Sequence, residues 1–329
     1  MIEYYKSSCL SNRESGSKNT NSVIVPTDAI VDDCWVDVFA PTAEEIEILK
    51  DRLGIPEDFI QDSLDEEERP RMDYDEDSGI VLIIVDIPFA KTEKTIMKYE
   101  TTPIGIILTK KNIVTISNYD IGILDQFKNN KVKGINLCFR TQFIFMMLLS
   151  FANEYLRLLR NIDKNLDLTA SNLSKGIKNS DLYEIMEISK TLVYFTTSLK
   201  SDEALLEKLI RSRAVKKFDE DNELLDDVII EFKQAHEMSE IYSTIVNNTQ
   251  DAYSSIINNN MNVVMKILAA ATFILEIPNI FTSFFGQNCP MPWDESFREH
   301  PWPFICLTGI CVIAIVVTAC FMKKKDLLS

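Results

Sequence analysis

Between Val263 and Phe285 an otherwise apolar stretch carries Lys266, Thr272, Glu276 and Asn279, and it closes on the polar break Phe285-Gly286-Gln287-Asn288-Cys289-Pro290-Met291-Pro292. About 20 apolar residues are enough to cross a bilayer as a helix, so the stretch is long enough to span. A carboxylate and a carboxamide inside a span are costly unless they face water, an ion or one another. Their oxygens are hard acceptors, suited to a cation or to the waters around it. A second stretch, Pro303 to Met322, carries no charge at all. A polar span beside a clean one implies that the first borders a water-filled path.

Charge sets the expected topology. Lys323-Lys324-Lys325 follows the second span, which the positive-inside rule places in the cytoplasm, and no cleavable apolar signal precedes the first span. Both termini are therefore expected to be cytoplasmic. Only the turn from Gly286 to about Trp302 faces outward, and there Asp294, Glu295 and Glu299 outnumber Arg298. A cation would meet an acidic rim.

The net charge of −16 belongs entirely to the part before the spans, because from residue 262 onward five acids balance five bases. Such a field disfavours nucleic acid and attracts cations. The seven cysteines show no CxxC spacing and three of them lie in the second span, so they read as reduced or buried apolar residues. With two histidines, His236 and His300, histidine-based catalysis is not expected. No GxxxxGK[ST] or GxGxxG loop occurs, so there is no machinery for nucleotide hydrolysis and no sign of an organic cofactor or an enzyme.

Residues 1–25, rich in Ser, Asn, Lys and Arg, read as a mobile tail. From 26 to 134 strand and helix signals alternate. Cys34 to Phe39 and Gly79 to Pro88 are β-rich, and Gly105–Leu108 with Asn112–Ser117 predicts a hairpin around Thr109-Lys110-Lys111. Thr42-Ala43-Glu44-Glu45 is a capping box opening a helix that stops at Gly54. From 135 to 262 the chain reads as a long helical stalk, with Gly176 the one glycine and no proline. Apolar positions recur there at Leu225, Val228, Phe232, Ala235, Met238, Tyr242, Ile245, Thr249, Ala252 and Ile256. That seam runs into Val263 without a breaker, predicting one helix from about Asn222 to Phe284. The remaining divisions are a first span over 263–285, an outer loop over 286–302, a second span over 303–322 and a basic tail over 323–329. The fold class is thus an α+β cytoplasmic domain (a mixed α/β sandwich), then long helices and two C-terminal transmembrane helices.

The run Ser254-Ser255-Ile256-Ile257-Asn258-Asn259-Asn260-Met261-Asn262-Val263-Val264-Met265-Lys266-Ile267-Leu268, with a span that ends Gly286-Gln287-Asn288, resembles the CorA family of divalent-cation channels. Trp35-Val36-Asp37-Val38, Pro41-Thr42 with Glu44-Glu45, and Arg69-Pro70-Arg71-Met72 also have counterparts in that family. The resemblance covers about residues 34 to 325. It implies a funnel-shaped homopentamer in the plasma (inner) membrane, surrounded by lipid, with the first span of each subunit lining a central pore. It further implies Mg²⁺ as both transported and regulatory ion, Co²⁺ or Ni²⁺ as secondary substrates, and flow driven by the membrane potential without ATP.

On that resemblance Gly286, Gln287 and Asn288 form the selectivity filter. Mg²⁺ gives up its waters reluctantly, so amide oxygens of Asn288 would hold the hydrated ion, while Gly286 permits a tight turn. Counting back from Asn288 gives the pore face Ser283, Asn279, Glu276, Thr272, Leu268 or Ala269, Met265 and Asn262, with Met265 and Leu268 as an apolar constriction. Asp251 matches an acidic ring at the cytoplasmic vestibule. Asp227, with Asp226 beside it, matches an aspartate that holds a regulatory cation between subunits, and Glu93 or Asp86 are candidate partners. The chain departs from the family where Gln287 stands for its methionine, where Trp293 displaces the acidic residue after Met-Pro to Asp294-Glu295, and where Glu276 stands for an apolar residue, which makes Glu276 a second candidate ion site beside Asn288. Transport of Zn²⁺ by the same architecture is one alternative. A membrane-anchored sensor or scaffold that conducts nothing is another, although a mere anchor would avoid Glu276 and Asn279.

Overall fold

Continuous apolar runs build the centre of the sheet, as at Ile80–Val85, where every residue is buried. The computed structural model describes residues 1–8, 23–93, 96–173, 179–212, 215, 219–286 and 302–324, in two units, Met1–Gln250 and Asp251–Ser329. The first unit holds strands β1 (Ile2–Ser8), β2 (Val23–Thr27), β3 (Cys34–Phe39), β4 (Arg71–Asp75), β5 (Ile80–Glu93), β6 (Ile96–Leu108) and β7 (Ile113–Ser117) in one sheet of order β2-β1-β3-β7-β6-β5-β4. Only β3 and β7 run parallel; every other pairing is antiparallel. The hairpin expected around Thr109-Lys110-Lys111 is β6–β7, closed by Thr109, whose N–H donates to the Asn112 carbonyl at 2.9 Å.

Alternate residues supply two apolar faces. Val36, Val38, Leu82, Ile84, Ile107, Val114 and Ile116 share one core with Leu49 of α1 (Ala43–Leu53) and Ile60 of α2 (Glu57–Leu64). The capping box of α1 is formed by Thr42 and Glu45, and Gly54 ends the helix at φ 67°. Helix α2 sits so close to β6 that a Cβ on Gly105 would fall 1.9 Å from Ser63 Oγ. Only glycine tolerates that approach. On the other face Trp35 meets Phe143 of α4 (Arg140–Leu173) edge-on at 5.3 Å, and Phe127 of the short α3 (Asp125–Lys128) meets the same Phe143 at 5.6 Å. Helix α5 (Asn179–Arg211) follows, and Tyr155 of α4 contacts its Phe195 at 5.1 Å.

The N-terminus corrects the expectation of a tail over residues 1–25. Ile2–Ser8 pairs with β3 on one side and with Val23–Thr27 on the other, while residues 9–22 lie outside the described set. The reason is a set of contacts that no local composition displays. Tyr5 stacks on Trp35 at 5.2 Å, Lys128 Nζ reaches Glu3 at 2.8 Å and Asp37 at 2.7 Å, and Asn130 brackets Ile24 through both backbone groups at 2.6 and 2.9 Å. Polar residues of β1 are thus satisfied on the sheet instead of in water.

Helix α6 runs from Asp219 to Phe285, 67 residues, close to the span predicted from the seam. At 1.5 Å per residue it is about 100 Å long. Its buried line differs from the one expected. Leu225, Val228, Phe232 and Ala235 are buried, but Ser239, Val246 and Tyr253 then take the places expected of Met238, Ile245 and Ala252. Steps of three and four that alternate strictly keep one face toward neighbouring helices, and this geometry outweighs local hydrophobicity. Ser239 is tolerated there because its hydroxyl meets Thr196 Oγ1 of α5 at 2.7 Å.

Candidate ion path in the membrane helices

In the second unit, the end of α6 and the helix α7 (Trp302–Lys324) are both long and apolar enough to cross a membrane. Along α6, Ala270 is fully buried, and Ile274, Ile277, Pro278 and Phe281 are half-buried. Those positions share one face. Cys311 and Met322 are buried on α7, with Ala314, Ile315, Thr318 and Ala319 half-buried between them at the same helical spacing.

Asn262, Met265, Leu268, Thr272, Glu276, Asn279 and Ser283 are all exposed. At 100° per residue their mean direction is turned by roughly 160° from the buried face of α6. The structure therefore places the predicted stripe together on an exposed side of the helix, where Phe273, Leu275, Ile280 and Phe284 beside it are exposed as well. Met265 and Leu268 are 56% and 59% exposed, which is costly for apolar groups unless lipid or another copy covers them.

Local chemistry keeps that helix regular despite its polar content. Thr272 returns its hydroxyl proton to the Leu268 carbonyl at 2.9 Å, so it asks nothing of its surroundings. Glu276 and Asn279 are exposed, and the Asn279 Oδ1 accepts from the Ser283 hydroxyl one turn on at 3.5 Å. Pro278 removes one N–H from the ladder, freeing the carbonyl of Ile274. The Thr282 hydroxyl donates nearby to the carbonyls of Pro278 (3.0 Å) and Asn279 (3.1 Å). The helix closes at Gly286, whose N–H donates to the Thr282 carbonyl at 2.9 Å; a Cβ there would stand 3.0 Å from that carbonyl. Gln287 and Asn288, the other two expected filter residues, lie outside the described residues.

Of the carboxylates expected to hold ions, Asp226 and Asp227 are exposed on α6 beside buried Leu225 and Val228, and Asp251 is exposed farther along the same helix. Among the described residues no three His, Cys, Asp or Glu side chains of one chain stand close enough to hold a metal ion. Asp86, a candidate partner for Asp227, is instead turned inward within its own subunit, where its N–H donates to Asp202 Oδ1 at 3.0 Å. Glu93 has a side chain outside the described set. Sequence reading missed Asp202 altogether, because a single aspartate in an amphipathic helix carries no pattern.

A family model for the CorA-like Mg²⁺ transporter protein matches residues 32–324. The cobalt/magnesium transport protein CorA of Methanocaldococcus jannaschii is 30% identical over 296 residues, 88% of this chain and 90% of that protein. The complete structure of a CorA magnesium transporter from the same organism superposes with a TM-score of 0.78 at 25% identity, covering 98% of this chain and 97% of the other. The ZntB cytoplasmic domain from Vibrio parahaemolyticus shares the fold of the soluble part, with a TM-score of 0.59 at 14% identity over 79% of this chain and 98% of that domain. An α/β domain, a helix that carries a polar stripe onward and two apolar C-terminal helices thus agree with the match along nearly the whole length. This chain is a membrane protein of the CorA family of divalent-cation transporters, a family of transporters and not of enzymes.

Proposed function

We propose that the chain is one subunit of a homopentameric channel for hydrated Mg²⁺ in the plasma membrane, both termini cytoplasmic, through which the membrane potential drives uptake. The observation that carries this reading is the exposed stripe from Asn262 to Ser283, set opposite the buried face of α6. Copies arranged around an axis would turn five such stripes inward. Asn279, Ser283 and Glu276 then supply oxygens to the water shell of a passing ion, and Gly286, Gln287 and Asn288 form the outer filter. Met265 and Leu268 supply an apolar ring that closes by dewetting, and Asp251 supplies an acidic ring before it.

A regulatory cation fits the donors near Asp227. Both Asp226 and Asp227 are exposed and the described residues of one chain gather no third ligand, so a bound ion draws oxygens from a neighbouring copy. Such an ion bridges subunits when Mg²⁺ is plentiful and leaves repelling carboxylates when it is scarce, which shifts the population of open channels. Asp227→Lys is expected to abolish inhibition of flux by Mg²⁺ added on the domain side while leaving conduction at low Mg²⁺ intact. Unchanged inhibition removes Asp227 from the sensor.

The function itself is tested in liposomes. Mg²⁺ flux that follows an imposed potential, and is indifferent to a proton gradient, is the expected result. Co²⁺ is the second ion to try, since the M. jannaschii relative is named for cobalt and magnesium. Passage of Zn²⁺ without Mg²⁺ would overturn the choice of ion. Absence of any flux would leave a membrane-anchored scaffold.

A further inference from the structure

The first unit contains two carboxyl groups, Asp86 of β5 and Asp202 of α5, that the ion path does not use. β4 pairs with β5 only as far as Arg71 opposite Ile84, so at Asp86 that edge of β5 has no strand beside it. Asp202 of α5 occupies the place: its Oδ1 accepts the Asp86 N–H at 3.0 Å. Asp202 is fully buried, and its Oδ2 has no hydrogen-bond partner. Around the pair, Tyr155 of α4 donates its hydroxyl to the Asp86 carbonyl at 3.2 Å, and Ser198 of α5 bonds both the Asp86 carboxyl and Thr101 Oγ1, the latter at 2.8 Å.

What faces the pair carries the argument. The loop before β4 contributes Glu66, Glu67, Glu68 and Arg69 to a cavity of about 330 Å³ that reaches Asp86. From β6 comes Glu100, lining the adjoining cavity together with Thr101, and α4 contributes the neutral Tyr155. α6 contributes the uncharged Phe232 against Tyr155. Arg69 lines the same cavity as Asp86, but among the described residues no basic side chain lowers the pKa of either carboxyl, and Arg71 of β4 is taken by Asp62, Asp73 and Glu68. Two carboxylates in such a place cannot both be ionised without a large desolvation and repulsion cost. A proton on the fully buried Asp202 removes most of it.

We propose that Asp202, with Asp86 beside it, is a proton-binding site in each subunit, whose proton keeps the buried carboxyl neutral and α5 seated on the open edge of β5. The adjacent residue carries the tie onward, since Glu203 meets His236 Nδ1 of α6 at 3.0 Å, and α6 is the helix that bears the polar stripe. Loss of the proton loosens α5 from the sheet and is felt by α6. Titration agrees in sign. Burial pushes Asp86 up to about 6, and burial followed by the charge of Asp86 holds Asp202 well above the ordinary range. Both folded values exceed the unfolded one, about 3.9. The stabilisation is therefore complete below about pH 4 and drains away as pH rises through about 6 and beyond.

The test uses the whole protein in detergent and Asp202→Asn, which keeps the oxygen that accepts the Asp86 N–H. The expected result is a thermal midpoint that falls less between about pH 5 and pH 8 in the variant, ending about 2–4 °C above the natural protein at the alkaline end. Infrared difference spectra across the same range should lose a protonated-carboxyl carbonyl band in the variant. Asp37 and Asp62, which burial also raises, titrate in both proteins and cancel. Where Asp202→Asn fails to fold, Asp86→Asn gives the same reading. Identical pH profiles overturn the proposal. So does a midpoint at about pH 8 that millimolar Mg²⁺ raises in the natural protein but not in the variant, which would make the pair a metal site.

Discussion

Glu276→Gln should lower Mg²⁺ flux in liposomes by about ten- to a hundredfold, equivalent to about 1.4–2.7 kcal/mol per permeating ion. The substitution keeps the length of the side chain and one acceptor oxygen, and Glu276 is exposed on α6, so the fold of the single chain has no stake in its charge. What disappears is negative charge on the same face as Thr272 and Asn279, where a dication still wearing its waters would be attracted from either side. Repulsion among the glutamates in the empty pore would be relieved by the ion itself, so binding and passage are coupled. Selectivity should change with rate. Glutamine offers an acceptor and a donor but no charge, so a monovalent competitor should gain relative to Mg²⁺. Equal flux and equal ion preference in the variant would remove Glu276 from the path and leave it as a contact between helices. Measured together with Asn279→Ala, it also reports whether the two positions act on one ion, because independent sites should multiply their effects and a shared site should not.

The membrane part was legible in the sequence because its signal is local and repetitive. Glu276 and Asn279 stand out in an apolar run, and steps of three and four suffice to place Asn262 through Ser283 on one face; the structure adds that this face is exposed and lies away from Ala270. The capping box at Thr42 and the hairpin at Thr109 were legible for the same reason, since each is written within a few residues. Long-range features were not. Burial of Ser239 in place of Met238 depends on which face of α6 meets α5, and the hydroxyl of Thr196, far away in sequence, makes it tolerable. Asp202 shows its role only once α5 lies along the unpaired edge of β5. The first strand was misjudged most. Its Ser and Lys content resembles a tail, and the residues that hold it, Trp35, Lys128 and Asn130, are separated from it by whole elements.

That first strand supports the second large effect. Lys128→Met should destabilise the α/β domain by about 3–5 kcal/mol, the usual cost of leaving one partner of a buried ion pair alone. Lys128 is 12% exposed and Asp37 5%, so solvent screens the pair little. The ammonium is bound by Asp37 at 2.7 Å and Glu3 at 2.8 Å; burial works to lower its pKa, yet the charge and hydrogen bond of Asp37, then those of Glu3, raise it above the ordinary lysine value. Asp37 in turn accepts from Thr115 Oγ1 at 2.6 Å, and Thr115 accepts from Trp35 Nε1 at 3.0 Å. Methionine fills the space of the lysine stem, so the loss is that of the charge and its bonds rather than a cavity. A second substitution separates the terms. Asp37→Asn on the Lys128→Met background removes the uncompensated charge while keeping an acceptor for Thr115, and should recover more than half of the lost stability. Thermal midpoints of the full-length protein measure both steps, and limited proteolysis reports whether β1 has left the sheet. A shift below about 1 kcal/mol for Lys128→Met would mean that Tyr5 on Trp35 and the β1–β3 ladder hold the strand without the ion pair.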